Sequence, residues 1–480
     1  MKPLHLLGCK IRVVPFLLVL LTPPTVSFAA SPYFKDVCAS GCTYSSVQAA
    51  IDSITDSGPT KVYTVFVDSG IVSSDTSITT SGKSYINFVG RGMEVSVVQA
   101  SAAWYQNVGN LSTPPDFFDL SNSTNITLSN LTIDARTQDP GNFGTSLTYT
   151  AVSLGGAPDK IVVESSEILG VTYGLWEQLG GDPAKSVQVF NSKVLASNYG
   201  ILIQQTAWLI FSSDIRAVDR AVTSGVVAAA IGIEAGISGT VKSTIWGSHV
   251  HAESSLTGKT YPVAAITTSM TGGSLSIIGS TLHLKMTTTD GGSVSRKMFS
   301  LDLNSTGGAT PKTINLVGSD LLYESPTGLT QGLIGGIGAI SFNTASTEVR
   351  LVGVSAIDGG GSGGSHRAGI VSSALPNSEP TILSAGSRIP NTESSSGITL
   401  TLSSGALFNT VNMQSGLAAF PSSNTVPVTL PVPMPNTSYR VGISANANET
   451  IYVTSKTTTG FTLKSSKAGS TASVDWTVLR

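Results

Sequence analysis

The amino-acid sequence predicts an all-β protein: a right-handed parallel β-helix with a short N-terminal capping helix and a small C-terminal antiparallel β-sandwich. Three observations carry this. The pattern apolar-x-apolar-x-small-small-x-apolar recurs through the middle of the chain, one amphipathic helical stripe precedes it, and strictly alternating segments end it. The expected divisions are a signal peptide over 1–29, the β-helix over 30–405, a linker over 406–430 and the C-terminal module over 431–480.

Composition narrows the field. Only 12% of the 480 residues are charged and the net charge is −2, against about 25% charged in an ordinary soluble domain. No basic footprint exists for a nucleic-acid partner, and the Glu/Lys/Leu/Ala-rich windows of helical bundles are missing. A hydrophobic share of 40% is enough for a large core.

Residues 1–29 have the zones of a signal peptide: Lys2, Lys10 and Arg12, then the apolar run Val13–Leu21, then Ser27-Phe28-Ala29 as a small-x-small cleavage signal. That run is far shorter than the roughly 20 residues that span a bilayer, and no later segment is long and apolar enough. Secretion with no membrane span after cleavage is therefore expected. Removal of Cys9 leaves Cys38 and Cys42 of "CASGC" as a disulfide pair. The loop is short, so loop entropy gives at most about 2 kcal/mol.

In "TYSSVQAAIDSI", Val47, Ala50, Ile51 and Ile54 form one helical stripe, with Ser45 or Ser46 as its N-cap. This helix is expected to cover the first coil, whose strand edge and core face are otherwise open. The repeats follow: "ITLSNLTI" from Ile126, "IVVESSEI" from Ile161, "VQVFNSKV" from Val187, "WLIFSSDI" from Trp208, "STIWGSHV" from Ser243, "LSIIGSTL" from Leu275, "INLVGSDL" from Ile314 and, more loosely, "VRLVGVSA" from Val349, with an earlier relative at Ile86. Each reads as a strand with one inward face, a turn made by a small pair, and a second strand. One coil cannot bury its own inner face, so the copies stack. After about Ala406 the pattern fades. "SYRVGISA", "ETIYVTSKTTTGFTLKSS" and "ASVDWTVLR" then alternate as antiparallel strands, with Thr-Thr-Gly turning between two of them.

Residues 43 to about 215 resemble the pectin methylesterase family and, more broadly, the pectate-lyase-like β-helix superfamily. The resemblance lies in "SVQAAID" from Ser46, "VYTVFVDSGIV" from Val62, "INFVGRG" from Ile86 and "AVSLGGAPDKIVVESSEILGVTYGLW" from Ala151. It implies an esterase scaffold on which two aspartates, a glutamine and an arginine work on a uronate methyl ester, one carboxyl ionised and the other protonated. The positions do not carry those residues. The Gln-Asp pair falls on Thr172 and Tyr173, the second aspartate on Gly200, and the upstream glutamine on Thr150; the Leu-Gly-Arg-Pro-Trp segment has no counterpart. Gly has no side chain, and a tyrosine with a pKa of about 10 is a poor neutral-pH nucleophile. Asp214, Asp219 and Glu177 are the acids near enough to act instead. The last fifty residues resemble the C-terminal modules of phage tail fibres and H-type lectins, through "MPNTSYRV", "VTSKTTTGFT" and "VDWTV"; that resemblance implies glycan binding and a homotrimer.

Two further groups stand out. Tyr173, Trp176 and Tyr199 fall on adjacent coils where the esterase cleft would lie. Aromatic faces hold sugar rings, so they read as a carbohydrate groove or, alternatively, as a core Trp176 covered by tyrosines. His249 and His251 share a strand face, and the repeats set His251 over His283; because Thr281 and Leu322 occupy the neighbouring positions, a polar surface stack is expected rather than a metal site. No cofactor is expected. The reading that follows is a secreted β-helix protein that binds polysaccharide or a glycosylated surface. The alternatives are a divergent pectinesterase or other polysaccharide-active hydrolase or lyase, and a structural cell-surface protein.

Overall fold

The computed structural model describes residues 33–108, 115–136, 149–178, 181–219, 228–233, 241–254, 263–270, 272–287, 298–304, 312–325, 337–343, 347–358, 367–372, 381–385, 387, 414–430, 437, 439–446 and 448–479. The signal peptide and the glycine-rich segment 359–366 lie outside these. Three parallel sheets build the solenoid, twelve strands in the first and ten in each of the others. One coil shows the plan: Asp159–Glu164 in the first sheet, Glu167–Leu169 in the second and Tyr173–Trp176 in the third.

The repeats stack in the register their pattern implies. Ile86 lies opposite Ile126, then Ile161 and Val187, and Val187 opposite Trp208. Leu209–Thr244 carries the register to the next copy, and Ser243, Leu275, Ile314 and Val349 continue it. The small pair has a specific cause in each of its two positions. Its first residue turns the corner between the first and second sheets in the left-handed region: Asn130, Ser165, Asn191, Ser212, Gly247, Gly279, Gly318 and Gly353 all have φ between 46° and 60°. Glycine and asparagine reach that region at least cost.

The second residue is a buried serine on six successive coils, Ser166, Ser192, Ser213, Ser248, Ser280 and Ser319. Each hydroxyl donates to the carbonyl two residues earlier. Each also accepts a backbone N–H from the coil before: Ser166 N to Ser192 Oγ, Ser192 N to Ser213 Oγ, Ser213 N to Ser248 Oγ and Ser248 N to Ser280 Oγ are all 3.2 Å, and Ser280 N to Ser319 Oγ is 3.3 Å. The hydroxyls thus occupy corner N–H groups buried away from water. The Val349 copy, which has Val354 there, takes its acceptor from Ser387 at 3.1 Å.

The helix α1 (Val47–Asp52) is capped by Ser46, whose Oγ accepts from Ala49 N at 3.2 Å. Val47, Ala50, Ile51 and Ile54 are all buried in the main core, and α1 packs on the strands Phe34–Val37, Tyr63–Val67 and Ile78–Thr79. Cys38 and Cys42 are joined, directly after the first of those strands. That strand is not among the sequence expectations, nor is α2 (Ala102–Val108), which buries Trp104.

The C-terminal module has two three-stranded antiparallel sheets. One joins Gln414–Ala419, Ser473–Leu479 and Arg440–Ala445; the other joins Thr425–Thr429, Gly460–Ser465 and Ile451–Thr457. Its own core includes Phe420, Tyr439, Phe461, Leu463, Val474 and Trp476. The structure corrects the linker over 406–430: residues 414–419 and 425–429 are strands of the module. Pro427 falls within the second of these, a strand at a sheet edge, where a missing N–H is tolerated.

Candidate functional site

On the third sheet, Asp116, Thr150, Tyr173 and Tyr199 stand opposite one another on four consecutive coils, continued by Ala229. A second row, three residues on, runs Asp119, Ser153, Trp176 and Leu202. The tyrosine rings of 173 and 199 stack at 5.6 Å and 12°, and Trp176 stacks on Tyr173 at 5.0 Å and 25°. Leu202 and Ala229 complete a small apolar cluster separate from the main core. The sequence expectation that Tyr173, Trp176 and Tyr199 sit together therefore matches their placement. Their exposure differs: Tyr199 is 4% exposed and backs the half-buried Tyr173 and Trp176.

A polar group that sequence reasoning missed adjoins this stack. Gln178 reaches back with Nε2 to Asp116 Oδ2 at 2.9 Å and to Ser153 Oγ at 2.8 Å. Burial pushes Asp116 up to about 6, against the hydrogen bonds it receives. The Thr150 hydroxyl, opposite Asp116 on the next coil, is among the groups that hydrogen-bond its carboxyl, while Trp176 Nε1 is enclosed without a hydrogen-bond partner among the described residues. Buried polar atoms are nearly always satisfied, which makes the Trp176 indole N–H an exception in this aromatic group. The signal for Asp116 was the acid pair in "DFFD", whose inward Phe117 and Phe118 turn Asp116 and Asp119 outward. Because burial disfavours the ionised form, stability from this group is full below the unfolded value of about 4 and is lost as pH rises through about 6. Asp116→Asn is expected to raise the melting temperature relative to the parent at pH 8 and not at pH 4; equal differences at both would refute the assignment.

The esterase positions come out as follows. Thr150 and Tyr173 hold outward rows. Thr172 is buried in the turn, where its Oγ1 accepts from Tyr149 N at 3.2 Å. Gly200 faces the interior: a Cβ there would lie 2.7 Å from Ala230 O and 2.9 Å from Ile215 Cγ2. An aspartate at 200 would enter the core, and the outward position of that coil is Tyr199.

The three alternative acids do not gather on the third sheet. Glu177 is fully buried, and its two oxygens accept from Gln204 N (3.0 Å), Gln205 N (3.0 Å), Thr206 N (2.6 Å) and Trp208 Nε1 (2.9 Å). Asp214 lies on the second sheet, held by Arg216 Nη2 at 2.7 Å and His249 Nδ1 at 3.1 Å. Burial alone would raise its carboxyl; the His249 hydrogen bond and the Arg216 guanidinium outweigh that and hold it at about 2. Asp219 ends the same strand, opposite Ser254, and its side chain lies outside the described residues.

No protein-family model matches this chain, and no curated protein does. Among solved structures the chain is similar to pectin methylesterase PemA from Erwinia chrysanthemi, with 15% identity and a TM-score of 0.40 over 54% of this chain and 81% of that one. It is also similar to the tailspike protein gp49 from Pseudomonas phage LKA1 (11% identity, TM-score 0.36, 90% and 92% covered) and to ORF18 of Geobacillus virus E2 (11%, 0.46, 90% and 76%). Identity this low bears on fold alone, and the β-helix assignment rests on the strand registers above.

Two other surfaces are notable. Phe190, Phe211, Trp246, Ile278, Val317 and Val352 form one outward row on the first sheet, with Trp246 52% exposed. The C-terminal module has a hollow of about 330 Å³ lined by Val441, Val453, Thr454, Ser455 and Lys456. Among the described residues no helix is long and apolar enough to cross a membrane.

Proposed function

We propose that this is a secreted β-helix protein that binds polysaccharide on the outer face of its third sheet. The observation that carries the proposal is the Tyr173–Trp176–Tyr199 stack, in which the half-buried Tyr173 and Trp176 lie ring on ring. A sugar ring offers an apolar face to an aromatic plane, which such a stack can meet. The C-terminal module supports the same reading through its resemblance to trimeric, glycan-binding modules, with a homotrimer as the corresponding assembly.

A glycan array with the full chain, followed by calorimetry on the best oligosaccharide, tests this. Trp176→Ala is expected to weaken binding about 30-fold, the effect of losing an aromatic hot spot worth about 2 kcal/mol. Trp246→Ala, on the first-sheet row, is expected to leave it unchanged. Unaltered affinity in Trp176→Ala would refute the site.

One observation favours the enzymatic alternative. Asp116, with a carboxyl raised to about 6, has a second acid, Asp119, three residues away on the same strand. Methanol release from methylated pectin that disappears in Asp116→Asn would establish this reading over pure binding.

A further inference from the structure

The second sheet carries a cluster of a different chemistry. His249 and His251 stand on one strand, and His283 faces His251 directly on the next coil. Ring nitrogens of all three lie within 4.8 Å of one another, and the Nδ1 atoms of His251 and His283 are 2.9 Å apart. These are three of only five histidines in the chain. Each ring also has a carboxylate near it. Asp214 Oδ1 is 3.1 Å from Nδ1 of His249, Glu253 Oε2 is 3.5 Å from Nε2 of His251, and Glu324 Oε1 is 3.5 Å from Nε2 of His283. Metal-bound imidazoles usually have such a partner on the other nitrogen, which fixes the tautomer and makes the ligating nitrogen more basic.

We propose that His249, His251 and His283 bind one divalent first-row transition-metal ion, Zn²⁺ being the best fit, with a water in the fourth position. Imidazole nitrogen selects zinc, cobalt, nickel or copper over calcium and magnesium, which take oxygen ligands. A tetrahedral ion with bonds of about 2.0–2.1 Å sets its ligand nitrogens about 3.3 Å apart. The His251–His283 pair need open only slightly, and His249, the most exposed of the three at 39%, moves inward. With Nδ1 given to Asp214, His249 ligates through Nε2, while His251 and His283 use Nδ1. The surroundings accept a dication: Asp214, Glu253 and Glu324 outnumber Arg216 and Lys285, which occupy the adjoining positions. Thr281, opposite His249, leaves the fourth position to solvent. The sequence reading named all three histidines and took them for a polar surface stack, because the repeat fixes which residues are opposite one another but not where the His249 side chain turns.

Calorimetric titration of the chelator-stripped full chain with ZnCl₂ tests this. One saturable equivalent per chain is expected. The double variant His251→Ala/His283→Ala is expected to weaken binding at least 100-fold, and His366→Ala to change nothing. Asp214→Asn is expected to weaken it about 10–100-fold with the stoichiometry kept, as for loss of a partner behind a ligand. Cobalt loading of the unaltered protein reads the site without any variant, and the intense visible bands of tetrahedral cobalt are expected. Absence of saturable zinc binding, full retention of it in the double variant, or the pale spectrum of octahedral cobalt would each overturn the proposal.

Discussion

Glu177→Ala is expected to destabilise the protein by roughly 3–5 kcal/mol, the cost of removing one side of a buried charged hydrogen-bond group. The wild-type carboxylate is surrounded by donors alone: three consecutive backbone N–H groups, of Gln204, Gln205 and Thr206, and the Trp208 indole. Alanine leaves all four buried and unmet. Glu177→Gln does not rescue them, because each oxygen serves two donors and the amide NH₂ replaces an acceptor whichever way it flips. Solenoid stability is largely a sum of neighbouring-coil terms, so the loss is expected to be local. Hydrogen exchange of the 204–206 amides checks it directly: exchange should accelerate there first, and unchanged protection would contradict the account.

Breaking the serine ladder is expected to have the next largest effect on stability. Ser213→Ala removes the acceptor of Ser192 N–H and takes away one of the two donors to the Phe211 carbonyl, which keeps the Asn191 N–H at 3.0 Å. An unsatisfied buried N–H costs about 1–3 kcal/mol. Ser248→Ala repeats the damage one coil on, and the two sites are coupled through Ser213 N, which donates to Ser248 Oγ. The double variant should therefore depart from additivity. Urea unfolding followed by tryptophan fluorescence measures this. Equal stability of wild type and Ser213→Ala would show that water or a backbone shift replaces the hydroxyl, and that serine is not required at the corner.

Much of the fold was legible because the solenoid writes its register into the sequence. Aligning the copies placed His251 opposite His283 and Tyr173 beside Tyr199, as the strand pairings have it. The stripe Val47, Ala50, Ile51 and Ile54 likewise gave the cap. The small pair was visible as a pattern, while its cause was not: left-handed φ in the first residue and a cross-coil acceptor in the second depend on the stacked corner.

The site was less legible for a similar reason. Asp116 and Gln178 meet across 62 residues, with a coil between them, and no local pattern marks that convergence. Gly200 shows the opposite error: alignment to a family position suggested an outward site, whereas the backbone turns that residue inward. The strand Thr425–Thr429 carries Pro427, a residue that excludes a central strand and permits an edge one.

The most direct test of the central claim is a crystal structure of the full chain with the tightest-binding oligosaccharide from the array. The account predicts a sugar ring stacked over Trp176 and Tyr173 on the outer face of the third sheet. A ligand seated on the Phe190–Phe211–Trp246 row or in the hollow beside Lys456, with the third-sheet face bare, would contradict it.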